Sequence, residues 1–298
     1  MDANWEWYRS LLGVLENGSL SAAARALGLT QPTVGRHIDA LEAALGLKLF
    51  TRSHEGFIPT DAARELRPYA VTLAATAAAL QRVATGHGRG VHGTVRITAS
   101  EVVGVEVLPP ILATLREAHP QLTIELVLSN RVDDLLQREA DIAVRMVPPV
   151  QNALIARRIG NIELGLHAHR AYLDRHGVPG KIADLQRHAL IGFDHETAYI
   201  RNLARKLPWM HRSGLSFRAD SDLAQLAAIR TGFGIGICQS ALAARDATLV
   251  RVLPEAFSLP LDTWLAMHED LRDSPRCAAT FAGLAAGLVE YVGSAADR

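Results

Sequence analysis

The sequence predicts an α/β protein in three parts: a mainly α-helical N-terminal domain, a connecting helix, and a C-terminal α/β domain with two lobes. Three observations predict this order. Two short helical stretches flank a glycine-containing turn within Ala26–Gly46, leucine and alanine recur every seven residues after Asp61, and strand and helix patterns alternate from Thr94 onward. We expect the N-terminal domain to cover residues 1–60, the connecting helix and a hinge to cover 61–90, and the C-terminal domain to cover 91–298.

The composition is that of a globular protein with several cores. The 298 residues are 49% hydrophobic, and 31 Lys and Arg balance 31 Asp and Glu, so any basic surface has to be local. Cys238 and Cys277 fit no metal or redox spacing, which predicts buried thiols in a reducing compartment. The N-terminus lacks the basic start and apolar run of a signal peptide, and no stretch is long and apolar enough to span a bilayer. We therefore expect a cytoplasmic protein with no membrane partner.

The stretch Ala26–Gly46 predicts two helices joined by a tight turn. Gly28 suits the left-handed residue that ends the first helix, and Thr30 and Pro32 suit the cap and first turn of the second. The second helix then has one apolar stripe, formed by Val34, Ile38, Leu41 and Leu45. Its polar N-terminal residues are left exposed, as in a helix-turn-helix whose second helix enters the major groove of DNA.

The flanking residues favour DNA binding over the alternative, which is an ordinary helical hairpin in an all-α domain. Trp5–Glu16 predicts a first helix that completes a small core. After Gly46, two short apolar stretches flank a turn at Ser53–Gly56, which predicts a two-stranded wing beside the second helix. Arg52 and His54 on this wing are expected to reach phosphate or the minor groove.

Residues 61–84 predict a connecting helix that pairs with a second copy of the chain. Thr60 suits its cap, and Pro68 predicts a kink or a new start near Arg67. The alternative is a helix that packs on its own domain. The glycine-rich stretch Thr85–Gly93 predicts a hinge, and its histidines lack metal-ligand spacing. The predicted coiled-coil seam consists of Leu66, Ala70, Leu73, Ala77, Leu80 and Ala84.

From Thr94 the pattern has a β-α-β-α-β order, which predicts a parallel sheet with right-handed crossovers. The predicted strands of the first lobe are 94–100, 122–130 and 141–145, with helices over 108–119 and 131–140. Further strands are expected at 162–167, 189–193, 215–218, 234–237 and 263–267. Because the chain has to leave the first lobe and return to it, we expect lobe I to comprise 91–162 and 267–298, and lobe II to comprise 163–266.

Ligands of such sheets bind at the carboxyl ends of strands and near helix N-termini. The same positions also suit ordinary capping, so a purely structural role stays open as the alternative. No phosphate loop, nucleophile motif or metal-ligand spacing is present in the sequence, and we expect neither catalysis nor a cofactor nor a metal. The candidate ligand contacts are Ser100, Glu101, Ser129, Asn130, Phe193, Asp194, Asp220 and Ser221.

Four motifs lie between Asn17 and Ala70: Gly-Ser-x-Ser-x-Ala-Ala, Gln-Pro-x-Val-x-Arg, Leu-Glu-x-x-Leu-Gly and Leu-Phe-x-Arg. Together they resemble the N-terminal domain of LysR-type transcriptional regulators. The resemblance implies a winged helix-turn-helix, a periplasmic-binding-protein-like effector domain, and DNA binding that responds to a small molecule. One position departs from the family pattern, because Gly35 stands where serine is usual. The DNA contacts predicted on this basis are Ser21, Thr30, Gln31, Pro32, Thr33, Arg36, His37 and Arg52.

The leading hypothesis is therefore a sequence-specific regulator of transcription. It would bind double-stranded DNA at an operator with paired half-sites. We expect the chain to form a homodimer through the connecting helix, and two such dimers to form a homotetramer. One alternative is a solute-binding protein whose N-terminal helices merely dimerise, which the missing secretion signal disfavours. Another is an α/β enzyme, which the lack of a catalytic constellation disfavours. A mobility shift on DNA separates the first hypothesis from both.

Overall fold

The computed structural model describes residues 4–53, 56–85, 90–130, 140–149, 154–195, 201 and 207–294. The chain divides into two compact units. Met1–Thr85 makes up most of the N-terminal unit, whereas Gly86–Val132 and Asp141–Arg298 form the C-terminal unit. The residues assigned to the two predicted lobes lie almost entirely in the C-terminal unit.

The N-terminal unit contains the predicted helix-turn-helix and wing. The two wing strands pair in antiparallel register, with Phe50 opposite Pro59. The second helix of the helix-turn-helix packs its apolar stripe against the two helices that precede it in the chain. Together the three helices enclose one core, which includes Leu11, Val14 and Leu41. The elements in chain order are α1 (Trp5–Asn17), α2 (Leu20–Leu27), α3 (Gln31–Leu45), β1 (Phe50–Ser53), β2 (Gly56–Pro59) and α4 (Asp61–Thr85).

Capping residues set the ends of α2 and α3. Ser19 Oγ accepts a hydrogen bond from the backbone N–H of Ala22, and Thr30 Oγ1 accepts one from the N–H of Thr33. Gly28 and Gly46 end the two helices with φ of 68° and 67°, a left-handed backbone that glycine adopts without a Cβ clash. These local interactions explain why the sequence predicted the turn between α2 and α3 correctly.

Helix α4 is one continuous helix over Asp61–Thr85 with Pro68 inside it, so of the two outcomes predicted near Arg67 the new start is wrong, and the kink stays a prediction. Proline removes the backbone donor that would bond the carbonyl of Arg64, four residues earlier. Both Arg64 and Pro68 are exposed, which leaves that carbonyl accessible to water. The hydroxyl of Thr72 donates to the Pro68 carbonyl at 3.0 Å, a side-chain bond one turn later that does not replace the bond lost at Arg64.

The C-terminal unit is built on one mixed sheet. Its strands, among the residues described, are β3 (Gly93–Ala99), β4 (Leu122–Leu128), β5 (Ile142–Arg145), β6 (Leu154–His169), β7 (Leu190–Gly192), β8 (Leu215–Arg218), β9 (Ile235–Gln239), β10 (Leu249–Val252) and β11 (Leu259–His268). Its helices are α5 (Leu108–Ala118), α6 (Arg170–His176), α7 (Asp222–Arg230), α8 (Ser240–Ala243) and α9 (Pro275–Gly293). The strand order is β4-β3-β5-β11-β6-β9-β7-β8, and β10 pairs with β6.

The parallel pairing predicted for the first lobe is confirmed, because β3 pairs in parallel with both β4 and β5. The helix predicted over 131–140 falls almost wholly outside the described residues, as do residues 86–89 of the hinge predicted at Thr85–Gly93. The two crossovers between the lobes are strands β6 and β11, which pair antiparallel from Leu154–His268 to Leu164–Leu259. Both are longer than the sequence predicted, and β10 was not predicted at all.

Separate groups of buried side chains fill the two lobes. One core packs around Ile97, Leu108 and Leu284 in lobe I, and two smaller cores include Leu190 and Ile229 in lobe II. Both cysteines are buried, as predicted, and burial raises the pKa of the Cys238 thiol to about 12. Among the described helices, none combines the length and the apolar character that crossing a bilayer requires.

Candidate DNA-binding surface and ligand site

The start of α3 presents its polar side chains on the surface of the N-terminal unit. Gln31, Pro32 and Arg36 are exposed, and Thr33 is partly exposed. At 100° per residue, Arg36 lies opposite the buried stripe of Val34, Ile38 and Leu41. Ser21 is exposed on α2. The surface predicted to meet DNA is therefore open on the side of α3 that faces away from its own core.

Two of the predicted DNA contacts also have partners inside the unit. Thr30 Oγ1 and Thr33 Oγ1 lie 2.8 Å apart, so the two hydroxyls bond each other at the cap of α3. Nδ1 of His37 lies 2.8 Å from the hydroxyl of Ser10, which is fully buried on α1. His37 thus ties α3 to α1 through one ring nitrogen. Sequence reasoning missed Ser10, although a polar residue on the apolar face of α1 was a visible signal.

Glu42 holds the wing against the end of α3. Its Oε1 accepts the backbone N–H of Leu49 at 2.8 Å and that of Phe50 at 3.3 Å, and its Oε2 pairs with the ammonium of Lys48. Burial raises the pKa of Glu42, but these hydrogen bonds outweigh it and the net pKa is lowered. Sequence reasoning assigned no separate role to Glu42, because an acidic residue in a helix is usually exposed.

The predicted wing contacts are only partly described. The backbone of Arg52 lies in β1 opposite Phe57, whereas His54 lies outside the described residues. Gly35 sits within α3 with room for a side chain, since a Cβ there would meet only the Leu20 methyl at 3.8 Å. Packing within the unit therefore does not require glycine instead of serine at position 35.

The candidate ligand contacts of lobe I come together where β3 and β4 end. Ser100 and Glu101 follow β3 directly, and the backbone N–H of Ser129 donates to the carbonyl of Ala99 at 2.9 Å. The N–H of Glu101 donates to the side-chain oxygen of Asn130 at 3.3 Å. The predicted set from lobe I thus forms one cluster at the carboxyl edge of the parallel strands, where ligands of α/β sheets bind.

One predicted contact of lobe II joins this cluster. The hydroxyl of Ser221 donates to Oε2 of Glu101 at 2.8 Å, across 120 residues of chain. Asp222, which sequence reasoning missed, adds a carboxylate that is hydrogen-bonded to Asn130. Burial, and then the nearby charge of Glu101, raise the pKa of Asp222. Residues of both lobes therefore meet at Glu101, Asn130 and Ser221.

Two other predicted contacts of lobe II, Asp194 and Asp220, belong to a separate cluster. Phe193 and Asp194 directly follow β7, and Asp220 accepts the backbone N–H groups of Asp194 and His195 and pairs with the His195 ring. Asp194 in turn pairs with Arg212 at 2.8 Å and Arg218 at 3.5 Å. The hydrogen bond to Asp220 raises the pKa of His195.

This cluster has ligand-type atoms from Asp194, His195 and Asp220 within 4.8 Å of one another. The two arginines beside Asp194 already compensate its negative charge, so a cation would have to compete with them. The arrangement is explained by ion pairs among the described residues, without a metal.

Sequence reasoning also missed Arg145 at the end of β5. Its side chain is buried, and its Nη2 donates to the hydroxyl of Thr98 on β3 at 3.0 Å. The signal was available, because an arginine that ends a buried strand has to place its guanidinium among the neighbouring strands. The guanidinium of Arg145 is therefore held against β3 at Thr98, two residues before Ser100.

Comparison with known proteins agrees with this arrangement. A family model described as "LysR substrate binding domain" matches residues 88–288, and one described as "Bacterial regulatory helix-turn-helix protein, lysR family" matches residues 5–64. An HTH-type transcriptional regulator of Xanthomonas campestris is 29% identical over 59% of this chain and 51% of its own length. The probable HTH-type transcriptional regulator LtrA of Klebsiella pneumoniae is 28% identical over 86% of both chains.

Solved structures share the fold. In full-length CbnR complexed with its target DNA, the matched chain is 21% identical, with a TM-score of 0.66 over 98% of this chain and 99% of that one. The chain spans about half the length of the Xanthomonas relative, but the substrate-domain model alone covers about two thirds of the present sequence. The helix-turn-helix, the wing and the two-lobed domain occur in the order that these matches require. The chain belongs to the LysR-type family of transcriptional regulators.

Proposed function

We propose that the protein is a sequence-specific DNA-binding regulator whose activity is modulated by a small molecule bound between its C-terminal lobes. The observation that carries the proposal is the exposed N-terminal part of α3, with Arg36 at the centre of its outward face. An arginine at this position of a helix-turn-helix can bond guanine or phosphate. The wing braced by Glu42 supplies a second surface for the DNA backbone.

The solved complex of CbnR with its target DNA supports the same role for this fold. We infer DNA contacts at the exposed Ser21, Gln31, Pro32 and Arg36, with Thr33 at the edge of the surface. Thr30 and His37 would act partly through α3 itself, because each is bonded within the unit. Arg52 remains a proposed phosphate contact from the wing.

We infer that the chain dimerises through α4. Tyr69, Leu73 and Leu80 are 71%, 44% and 65% exposed, and with Val83 they recur at coiled-coil spacing along one side of the helix. Ala70 is buried in the chain and Leu66 packs on the N-terminal core, so these two residues of the predicted seam are not available to a second copy. The proposed seam therefore keeps Leu73, Ala77, Leu80 and Ala84 and adds Tyr69 and Val83, and paired half-sites follow from a dimer.

The proposed ligand site lies at Ser100, Glu101, Ser129, Asn130 and Ser221, where the two lobes meet. Its polar groups are set at strand ends and on the first turn of α7. Phe193, Asp194 and Asp220 would form a second part of the site in lobe II. We further propose that the protein works in the cytoplasm, where its DNA is, and that it regulates without catalysing a reaction.

Selection of binding sites from random double-stranded DNA tests the proposal. The full chain is incubated with a randomised library, bound DNA is recovered by mobility shift, and the enriched sequences are determined. We expect enrichment of a sequence with two related half-sites about one helical turn, or a multiple of it, apart. Recovery of unenriched DNA, or of no DNA, at physiological salt would contradict the assignment.

A further inference from the structure

One short segment of lobe I makes several contacts with lobe II. We call Glu101–Val107 the clasp segment; it begins directly after Ser100 and contains a π-helical turn over Val103–Val107. Such turns are uncommon and occur frequently at functional sites. The segment thus connects the proposed ligand site to the second lobe.

The strongest contact is an ion pair between Glu106 and Arg230. Nη1 of Arg230 lies 2.6 Å from Oε1 and Nη2 lies 2.9 Å from Oε2, so the guanidinium bonds both carboxylate oxygens. Paired bonds of this kind fix orientation as well as distance. Arg230 ends α7 in lobe II, and its bonds to Glu106 hold the pKa of that carboxyl below its usual range. The pair therefore remains ionised at neutral pH.

Further contacts of the clasp segment lie on either side of this pair. Nη1 of Arg245 donates to the backbone carbonyl of Glu106 at 3.1 Å, and the hydroxyl of Ser221 donates to Glu101 at 2.8 Å. Val102 packs against the lobe II core that contains Ile229. A single segment of seven residues is thus held by a salt bridge, two hydrogen bonds and an apolar contact from the other lobe.

We propose that the clasp segment is a latch that holds the two lobes together, with Glu106 as its main positioning residue. The crossover strands β6 and β11 pair with each other along their length, whereas the Glu106–Arg230 pair joins a residue of lobe I directly to one of lobe II. The latch therefore requires this pair to break when the lobes separate. Because Ser100 and Glu101 stand at the start of the segment, a ligand bound there acts directly on the latch. Only this last step, the response to a ligand, rests on the proposed function.

The distance between the lobes tests the latch without any ligand or DNA. Spin labels are attached to cysteines introduced at the exposed Glu117 of α5 and Val178 of lobe II. Both native cysteines are buried, so labelling is directed to the introduced sites. The distance distribution is then measured for the full chain and for Glu106→Gln. We expect Glu106→Gln to shift the distribution to longer distances, because the amide cannot form the doubly bonded ion pair.

Glu163→Gln is the matched control. Glu163 lies on β6 and pairs with Arg251 of the neighbouring strand β10 at 2.5 Å, so this substitution removes an ion pair of similar length that is not a contact of the clasp segment. We expect its distance distribution to match that of the unsubstituted chain. A shift as large as that of Glu106→Gln would show that any lost ion pair loosens the unit and would overturn the latch.

Charge exchange completes the test. Glu106→Arg combined with Arg230→Glu restores the pair in reverse and is expected to return the distribution toward the short distances. If Glu106→Gln does not fold, Arg230→Lys serves instead, since lysine keeps the charge but cannot bond both oxygens. An unchanged distance distribution in these single variants overturns the proposal, whatever the protein's affinity for DNA.

Discussion

The two units hold their functional side chains in different ways. In the N-terminal unit, the surface of α3 is set by neighbours along the chain: Thr30 and Thr33, which bond each other, are three residues apart. In the C-terminal unit, Glu101 and Ser221 meet across 120 residues. The first arrangement exists as soon as α3 is formed, whereas the second exists only while two lobes touch.

This difference explains how one chain can combine recognition with response. A surface fixed by caps and a small core keeps the same shape, which suits recognition of a DNA sequence. A site shared by two lobes changes when they move, so a ligand that prefers one arrangement shifts the population. The two units should therefore differ in what perturbs them, and the following experiments are ordered from the largest expected effect to the smallest.

Acid should affect the C-terminal unit first. Burial lowers the pKa of His167 to about 4, so the folded unit keeps this ring neutral. The unfolded chain takes up the proton below its ordinary pKa of 6.5, so stability is lost as pH falls from 6.5 towards 4. This change in the pKa of His167 corresponds to a loss of about 3 kcal/mol in the free energy of unfolding.

Hydrogen exchange of the intact chain across this pH range resolves the loss by region. We expect His167→Gln to remove most of the pH dependence in the C-terminal unit, and His211→Gln, an exposed control, to leave it in place. Equal acid sensitivity of the two units would contradict this explanation.

Loss of Glu42 should loosen the wing. Glu42→Ala leaves the backbone N–H groups of Leu49 and Phe50 without their acceptor, at about 1–3 kcal/mol for each buried donor. Glu42→Gln keeps an acceptor oxygen and should cost less. Regional hydrogen exchange should show the loss in β1 and β2 of Glu42→Ala, with the C-terminal unit unaffected. If the wing of Glu42→Ala were as well protected from exchange as the wing of Glu42→Gln and of the unsubstituted chain, Glu42 would not hold the wing.

Gly35→Ala should stabilise the N-terminal unit by about 1 kcal/mol, because alanine is the better helix former and the site has room for its Cβ. Gly13→Ala is the matched control. Its Cβ would lie 2.8 Å from Cδ1 of Leu27, so that side chain has to shift and the gain from alanine should be smaller than at Gly35. The midpoint of thermal unfolding should rise more for Gly35→Ala than for Gly13→Ala, and a lower midpoint for Gly35→Ala would show that glycine is required in α3.

The sequence predicted structure that depends on neighbouring residues better than structure that depends on distant ones, which is the same difference that separates the two units. The bounds of α2 and α3 were predictable because Ser19, Gly28, Thr30 and Gly46 act on their immediate neighbours. The first half of β6 was missed because Arg157 and Arg158 interrupt its apolar pattern, and its pairing with β11 lies far along the chain. Local patterns determine local structure, and they contain no direct information on distant pairing.

The candidate site shows the same limit. Strand ends placed Ser100, Glu101 and Asn130 correctly beside one another, because parallel strands end at one edge. No local signal could say that Ser221 would bond Glu101 while Asp220 would turn to His195. Arg145 was missed because its partner Thr98 lies 47 residues away, and Glu42 was missed because an acidic residue in a helix is usually exposed.

The central claim is that α3 of the N-terminal unit recognises DNA, and the affinity of Arg36→Ala for the selected DNA site tests it most directly. Fluorescence anisotropy of labelled duplex is measured for the unsubstituted chain, Arg36→Ala and Arg175→Ala, an exposed arginine of the C-terminal unit. We predict that Arg36→Ala loses about 1–3 kcal/mol, or roughly 5- to 150-fold in Kd, while Arg175→Ala binds as before. Equal affinity of Arg36→Ala and the unsubstituted chain would contradict the account.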